Sequence, residues 1–159
     1  RLAKGLPARQ VIDDCNAAAI IRRKPEISIA TVRAQAYERL GLWQQAADDY
    51  SAAVTMDSKT VQPFWLRYAA VLFQLGRDNE AISLARRVTI RFAGATEPTA
   101  ALVGMLSASG DAAEASRLWT VEFTIQQRQV YTQRTYLEEK IRWPPRLISA
   151  ILQFGSAST

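Results

Sequence analysis

Histidine is absent from this chain of 159 residues, and cysteine occurs once, at Cys15. Without histidine, the commonest general base and the commonest zinc ligand are both missing. A single cysteine excludes an internal disulfide and a zinc site built from cysteines alone. Cys15 lies in an apparent helix beside Asp14 and Asn16. We interpret it as a small buried packing residue rather than a nucleophile.

Long apolar runs are also absent. No stretch of about 18 uninterrupted apolar residues occurs, so we expect no membrane-spanning helix. No signal or transit segment is recognisable. The chain begins with Arg1 rather than methionine, and we therefore expect a processed protein or a piece of a longer one.

Acidic residues are in the minority, with 15 Asp and Glu against 20 Lys and Arg and a net charge of +5. The arginines are scattered, and only residues 22–24 and 86–87 form short basic clusters. A solvated basic surface accounts for this pattern, with nucleic-acid binding as the alternative.

Arrangements of side chains that support catalysis are missing as well. The neighbouring carboxylates Asp13–Asp14 and Asp48–Asp49 lie on apparent helices, where adjacent residues point to different faces, and we interpret each pair as part of a solvated face. The glycines are not grouped as in a phosphate-binding loop. We therefore predict that the protein is not an enzyme and binds no metal and no cofactor.

What the sequence does contain is a period of 34 to 35 residues. A glycine, then an alanine, then a packing residue recur at this interval: Gly41, Gly76 and Gly110; Ala46, Ala81 and Ala115; Tyr50, Ala85 and Trp119. Each glycine ends one apolar helical pattern just before another begins. A period of this length is typical of a helical solenoid.

The period sets the predicted organisation. Residues 27–121 form three helix pairs, residues 1–26 form the second half of a partial repeat, and residues 122–159 form a C-terminal extension. We expect Asp78 to cap the second helix of the middle pair, and Asp111 with Glu114 to form a capping box in the third.

The extension is predicted in four parts. We expect a break near Thr124, a helix over Val130–Ile141 that Pro144 and Pro145 end, an apolar helix over residues 146–154, and a frayed end from Gly155. The apolar helix is expected to cover the exposed end of the stack, as terminal caps do in repeat proteins.

The first full pair resembles the tetratricopeptide repeat. The matching residues are Ala30, Ala34, Tyr37, Gly41, Trp43, Ala46, Tyr50 and Ala53. The resemblance extends more loosely from Leu6 to Trp119. It implies an all-α fold: a right-handed α-solenoid of antiparallel helix pairs, closed by C-terminal capping helices. Pentatricopeptide repeats, which bind RNA, share the period, but their Gly-Pro turn after the second helix is missing here.

The resemblance also implies where partners bind, because in this repeat the first helix of each pair lines a concave groove. The helical phase then assigns to the groove Thr31, Gln35, Glu38 and Arg39, followed by Leu66, Arg67, Ala70, Phe73 and Gln74, and finally Ala101, Gly104 and Ala108. Only Arg67 could belong to the Lys, Asn and Arg clamp of chaperone-binding relatives, so we do not expect chaperone-tail binding. Either a partner segment or the chain's own segment after Val121 fills the small apolar part of this groove.

A second resemblance concerns the C-terminal part. The run from Ile141 to Pro145, followed by a short apolar helix, resembles the C-terminus of certain tetratricopeptide proteins of cyanobacteria and chloroplasts, some of them assigned to the thylakoid lumen. It implies a chloroplast or cyanobacterial location and a thylakoid complex such as a photosystem.

Together these patterns predict a non-catalytic scaffold for protein–protein interaction, acting as an assembly factor or accessory subunit of a membrane-associated complex. One alternative is an organellar RNA-binding helical-repeat factor, suggested by the arginine excess. Another is a peripheral membrane protein anchored by the helix from Leu147 to Phe154.

Overall fold

The computed structural model describes residues 7–157, and all regular structure in that range is helical. The elements in chain order are α1 (Ala8–Arg22), α2 (Ile27–Arg39), α3 (Trp43–Met56), α4 (Phe64–Gln74), α5 (Asp78–Arg91), α6 (Thr96–Ala108), α7 (Ala112–Val121), α8 (Ile125–Tyr131), the π-helix (Tyr136–Lys140) and α9 (Pro145–Ala157). Helices that follow one another from α1 to α3 and from α4 to α7 pack together. The prediction of an all-α fold is therefore confirmed.

The chain divides into two compact units, Arg1–Thr60 and Val61–Thr159. Within the described range, unit 1 contains α1 to α3, and unit 2 contains α4 to α9 with the π-helix. The division falls between the first and second predicted repeats.

The three periodic glycines form the same turn three times. Gly41, Gly76 and Gly110 have φ values of 69°, 79° and 94°, in the left-handed region that favours glycine. In each turn the residue after the glycine donates a backbone hydrogen bond of 2.9 Å to the carbonyl five residues earlier: Leu42 to Tyr37, Arg77 to Leu72 and Asp111 to Leu106. This is the Schellman arrangement, which satisfies the last carbonyls of one helix before the next begins.

We expect replacement of Gly76 by alanine to lower the free energy of unfolding by about 1 kcal/mol, because an L-residue is strained at its positive φ. A Cβ placed there would meet no atom within 4 Å, so the cost is that of the backbone alone. Gly76→Asn should cost less, since asparagine tolerates this conformation. Urea denaturation measures both, and a neutral or stabilising Gly76→Ala would contradict the left-handed turn.

The core of unit 1 is made mainly of small residues. Ala34, Ala46 and Ala53 have no exposed surface, which is what close approach of α2 and α3 requires, and Tyr50 fills the space beside them. On α1, Cys15 is buried with Val11 against α2, as its interpretation as a packing residue predicted.

Arg33 joins the three helices of unit 1. Its guanidinium donates to both carboxylate oxygens of Asp49 on α3, at 2.7 Å each, and to the side-chain oxygen of Asn16 on α1 at 2.8 Å. The hydrogen bonds to Asp49 raise the pKa of Arg33 above its usual value. Asp49, which we expected to lie on a solvated face, is instead buried and paired.

Unit 2 has a bulkier core. Its completely buried large side chains come from most of its helices and include Trp65, Leu72, Phe73, Val88, Met105, Leu137, Leu147 and Ile151. The ring of Trp119 on α7 meets the ring of Phe154 on α9 edge to face, with centroids 5.8 Å apart. The C-terminal extension therefore shares one core with the helices before it.

The two predicted helix caps have different outcomes. The Asp111 side chain accepts a hydrogen bond from the Glu114 N–H at 3.1 Å, which is one half of the predicted capping box, while the Glu114 carboxylate binds Arg86. At the predicted break near Thr124, this residue begins α8 with a complete capping box to Gln127, a helix start that the sequence did not predict. Asp78, however, is the first residue of α5 and makes no cap hydrogen bond, because its carboxylate binds Arg146 instead.

The prediction of one helix over Val130–Ile141 is also wrong. Helix α8 ends at Tyr131, and the π-helix begins only at Tyr136. Tyr131 and Leu137 are both buried, yet a straight α-helix would place them roughly 120° apart. The break between the two helices lets both side chains reach the core.

The C-terminal end is more ordered than the sequence suggested. Helix α9 continues through residues 155–157, where we expected fraying, and Gly155 is buried. A Cβ at Gly155 would lie 2.9 Å from the Thr132 methyl group, so this glycine permits a close approach of α9 to the end of α8. Leu6, Ser158 and Thr159 lie outside the described residues.

Candidate partner-binding face

The groove residues predicted in unit 2 lie on α4 and α6, and we call this set the α4–α6 face. Its members are Leu66, Arg67, Ala70, Phe73, Gln74, Ala101, Gly104 and Ala108. All the apolar members except Ala108 are buried, Arg67 and Gln74 are half-buried, and Ala108 is exposed. Most of the face is therefore inside unit 2.

Helix α9 covers this face. It packs against both α4 and α6, and a Cβ at Gly104 would lie 3.1 Å from the Leu147 side chain and 3.5 Å from the Ile151 Cβ. The absence of a side chain at Gly104 thus permits close contact between α6 and α9. Of the two occupants left open by the sequence, the chain's own segment is the one that the structure places here.

This placement bears on two interpretations of the apolar helix. We expected it to cover the end of the stack; in the structure it packs mainly on α6, the first helix of the last predicted pair, and it also contacts α4 of the pair before it. Its apolar residues, among them Leu147, Ile151 and Phe154, are buried within unit 2. That burial argues against the alternative in which the same side chains anchor the protein in a membrane interface.

Arg146 fixes the start of α9 on α4 and α5. Its guanidinium lies 3.9 Å from the centre of the Phe73 ring and donates to the backbone carbonyl of the same residue. It also donates to both carboxylate oxygens of Asp78, one of them at 2.9 Å. The backbone N–H of Arg146 donates to the side-chain oxygen of Gln74 at 2.8 Å. One arginine therefore joins three elements by charge-assisted, directional bonds.

The pairing with Arg146 makes stability depend on pH. Hydrogen bonds from Arg146 lower the pKa of the Asp78 carboxyl below its usual value of 3.8. Because the folded pKa is depressed, the contribution of Asp78 is present above pH 3.8 and is lost as the pH falls below it. We expect the stability difference between the native protein and Asp78→Asn to shrink as the pH is lowered from 7 through this range.

Urea denaturation at several pH values measures this difference. Glu80→Gln serves as a control, since Glu80 is exposed and its ion pair with Arg77 lies within a single helix turn. A difference for Asp78→Asn that stays constant down to pH 3 would contradict the role of the ion pair.

Arg67 holds the segment that leads into α9. Its guanidinium donates to the backbone carbonyls of Ile141 at 3.0 Å and Arg142 at 2.7 Å. Arg142 has a φ of 51° and lies in the short connection between the π-helix and α9. The one residue that could have served a carboxylate clamp is thus bound to the protein's own backbone.

An aromatic cluster supports the same segment from the other side. Trp143 stacks on Tyr131, with ring centroids 6.0 Å apart, and its indole N–H donates to the Glu97 carboxylate at 3.3 Å. The Tyr131 hydroxyl is hydrogen-bonded to the Thr96 hydroxyl at 2.9 Å. Burial raises the pKa of Tyr131 to about 12, so this residue is neutral at physiological pH.

The groove residues predicted in unit 1 lie on α2 and differ in their surroundings. Arg39 is exposed, while Thr31 and Gln35 are half-buried. Glu38 is buried, and its carboxylate accepts a hydrogen bond from the Tyr50 hydroxyl on α3. Arg39, Thr31 and Gln35 therefore remain candidates for contact with a partner, and Glu38 contributes to the packing of α2 on α3.

Sequence reasoning missed the part played by Arg146. The available signal was its position as the only charged residue of an otherwise apolar helix, directly after two prolines. A charge in that position needs a partner once the helix is buried. Nothing in the sequence pattern indicated that Asp78, far away in the chain, is that partner.

Neither a metal-binding cluster nor a membrane-spanning helix occurs in the described part of the chain. Among residues 7–157, no group of three or more histidine, cysteine, aspartate or glutamate side chains could hold a metal ion. No helix in the described part of the chain is long and apolar enough to cross a membrane.

Comparison with known proteins gives no relative. No protein-family model, no curated protein and no solved structure matches this chain.

Proposed function

We propose that this chain is a tetratricopeptide-repeat protein that acts as a non-catalytic scaffold for protein–protein interaction, as an assembly factor or accessory subunit of a larger complex. In this proposal its helix pairs are antiparallel and stack as a right-handed solenoid.

The observation that carries the proposal is the turn repeated at Gly41, Gly76 and Gly110. The three turns share left-handed glycines and the same backbone hydrogen bonds, at the sequence period itself. A completely buried alanine follows each turn, at Ala46, Ala81 and Ala115. Repeats of one supersecondary unit are typical of proteins that bind partners along an extended surface.

A location in the thylakoid is a further step of the proposal. It rests on the resemblance of Ile141 to Pro145, with the helix after it, to the C-termini of certain tetratricopeptide proteins of cyanobacteria and chloroplasts, some of them assigned to the thylakoid lumen. The complex proposed on this basis is a photosystem or another pigment–protein complex.

The RNA-binding alternative is weakened by where the arginines lie. Several of them pair with carboxylates of the chain itself: Arg33 with Asp49, Arg77 with Glu80, Arg86 with Glu114, and Arg146 with Asp78. An arginine held in this way is less available to neutralise phosphates. We therefore prefer the protein-binding function.

The test is a gentle native purification of the tagged full chain from the membranes of its source organism, followed by mass spectrometry. We expect stable co-migration with subunits of one membrane complex, unchanged by ribonuclease. Recovery with RNA that is lost steeply as salt is raised would establish the alternative instead. Recovery as a free monomer would contradict the scaffold function.

A further inference from the structure

Unit 1 contains an open groove that the predicted partner-binding residues do not account for. It lies between the end of α1, the start of α2 and the last turns of α3, and has a volume of about 470 Å³, within the range of ligand-binding sites. We call it the α1–α3 groove. Its apolar lining comes from Ile20, Ile29, Ala30, Ala52 and Met56.

Part of the apolar lining is exposed. Ile20 is 76% exposed, although isoleucine is among the residues most often buried. Met56, across the groove, is 39% exposed. An occupant that covered both side chains would gain the free energy of apolar burial.

The charges around the groove are unbalanced. Its two acidic residues are already paired: Asp49 accepts two hydrogen bonds from Arg33, and Glu26 accepts one from Arg22 at 2.9 Å. The other two charged residues of the lining, Arg23 and Lys24, are exposed, and their side chains make no hydrogen bond or ion pair with any described residue. The rim therefore carries two cations that have no partner among residues 7–157.

The backbone at Arg23 is also unfavourable for an arginine. Its φ of 52° is left-handed, and Arg142 is the one other described residue besides glycine with a positive φ. Glycine is the usual residue at such a helix end. Arginine at this position costs backbone free energy and places a cation at the rim of the groove.

We propose that the α1–α3 groove binds a segment of a partner protein in which acidic residues alternate with apolar ones. The apolar side chains of the segment enter the groove beside Ile20 and Met56, and its carboxylates meet Arg23 and Lys24. The apolar contact supplies affinity and the charges supply orientation and selectivity. A concave site fits a chain segment, whereas the flat surface of an anionic membrane would not reach its floor. This inference rests on the proposed interaction function and names the chemistry of one partner.

The test is a titration of the isotope-labelled full chain with a short synthetic peptide of alternating leucine and glutamate, blocked at both ends and followed by NMR. We expect the amide chemical shifts to change only at the end of α1, the start of α2 and the end of α3. Arg23→Gly should weaken binding about two- to fivefold, as for an exposed ion pair. Ile20→Ser should weaken it about tenfold, because one apolar contact is lost. A leucine–lysine peptide should not bind.

Both variants have matched controls in unit 2. Arg142→Gly removes the same charge and relieves the same kind of backbone strain, and Ile90→Ser changes an isoleucine that is 79% exposed. Neither control should alter peptide binding. Arg23→Gly cannot act by unfolding the protein, because glycine suits the left-handed conformation better.

The proposal would be overturned by changes in amide chemical shift outside the groove, by equal binding of the leucine–lysine peptide, or by an equal loss of affinity with Arg142→Gly. Binding of vesicles of anionic lipid in place of the peptide would identify the groove as a membrane contact and also overturn it. The native purification tests the interaction function separately. A partner recovered there while the leucine–glutamate peptide fails to bind would leave the scaffold function standing and reject only this groove.

Discussion

Replacement of Phe73 by glutamate is expected to lower the free energy of unfolding by about 4 kcal/mol or more and to unfold unit 2 under most conditions. Phe73 has no exposed surface, and the Arg146 guanidinium lies against its ring. The substitution removes a large buried side chain and leaves a carboxylate in its place. Urea denaturation followed by circular dichroism measures the change.

The matched control is Ile125→Glu, which adds the same charge at an apolar position that is 65% exposed, in the first turn of α8. We expect that variant to stay within about 0.5 kcal/mol of the native protein. A folded Phe73→Glu variant that had lost only the binding of a partner would show that this side chain faces an open groove, against the packing described for α9.

Replacement of Leu147 by alanine is the second change with a large expected effect. Leu147 on α9 is completely buried and meets α6 at Gly104. Truncation of a buried leucine costs about 2–5 kcal/mol, the cost being highest where the cavity cannot collapse. We expect a loss in this range and, in hydrogen exchange, loss of protection along α9 and the facing side of α6.

Leu152→Ala provides the comparison within the same helix, since Leu152 is only half-buried. It should cost clearly less than Leu147→Ala, because less apolar surface is exposed on truncation. Equal effects of the two substitutions would mean that α9 does not present Leu147 to α6.

The helix pairs were predictable because their signals are local. A glycine that needs a positive φ, a small residue where two helices approach and an apolar stripe at helical spacing all act within a few residues. Gly76 and Ala81 show this: the first ends α4 in a left-handed turn and the second is completely buried at the start of α5. The same turn and buried alanine then recur with the period of the sequence.

The position of α9 was not predictable in the same way. Its apolar stripe showed that one side of the helix must be buried, but two surfaces could accept it: the end of the stack and the groove. What decides between them is the ion pair of Arg146 with Asp78 and the missing side chain at Gly104. Both link residues that are far apart in the chain, and a single sequence contains no record of such pairings.

The candidate site was predictable to the same extent. Helical phase placed Leu66, Phe73 and Gly104 on one face, and the structure brings them together on α4 and α6 beneath α9. The phase could not distinguish an open face from one that the chain covers itself. In unit 1, the α1–α3 groove depends on how three helix ends meet, which their separate patterns do not specify.

A paired cysteine substitution tests directly whether α9 lies on the α4–α6 face. The Cβ positions of residues 104 and 151 are 3.5 Å apart, at the short end of the range found in disulfides. We would prepare Gly104→Cys with Ile151→Cys in a Cys15→Ala background, oxidise the protein mildly and titrate its free thiols. Gly104→Cys with Gln153→Cys is the control, because Gln153 is exposed on the same helix.

We expect the 104–151 pair to lose both free thiols and to migrate faster on a non-reducing gel, with both changes reversed by reduction. The 104–153 pair should keep its free thiols. Free thiols in the 104–151 pair, or equal oxidation of the two pairs, would show that α9 does not occupy this face. The α4–α6 face would then be open to a partner, as the sequence predicted.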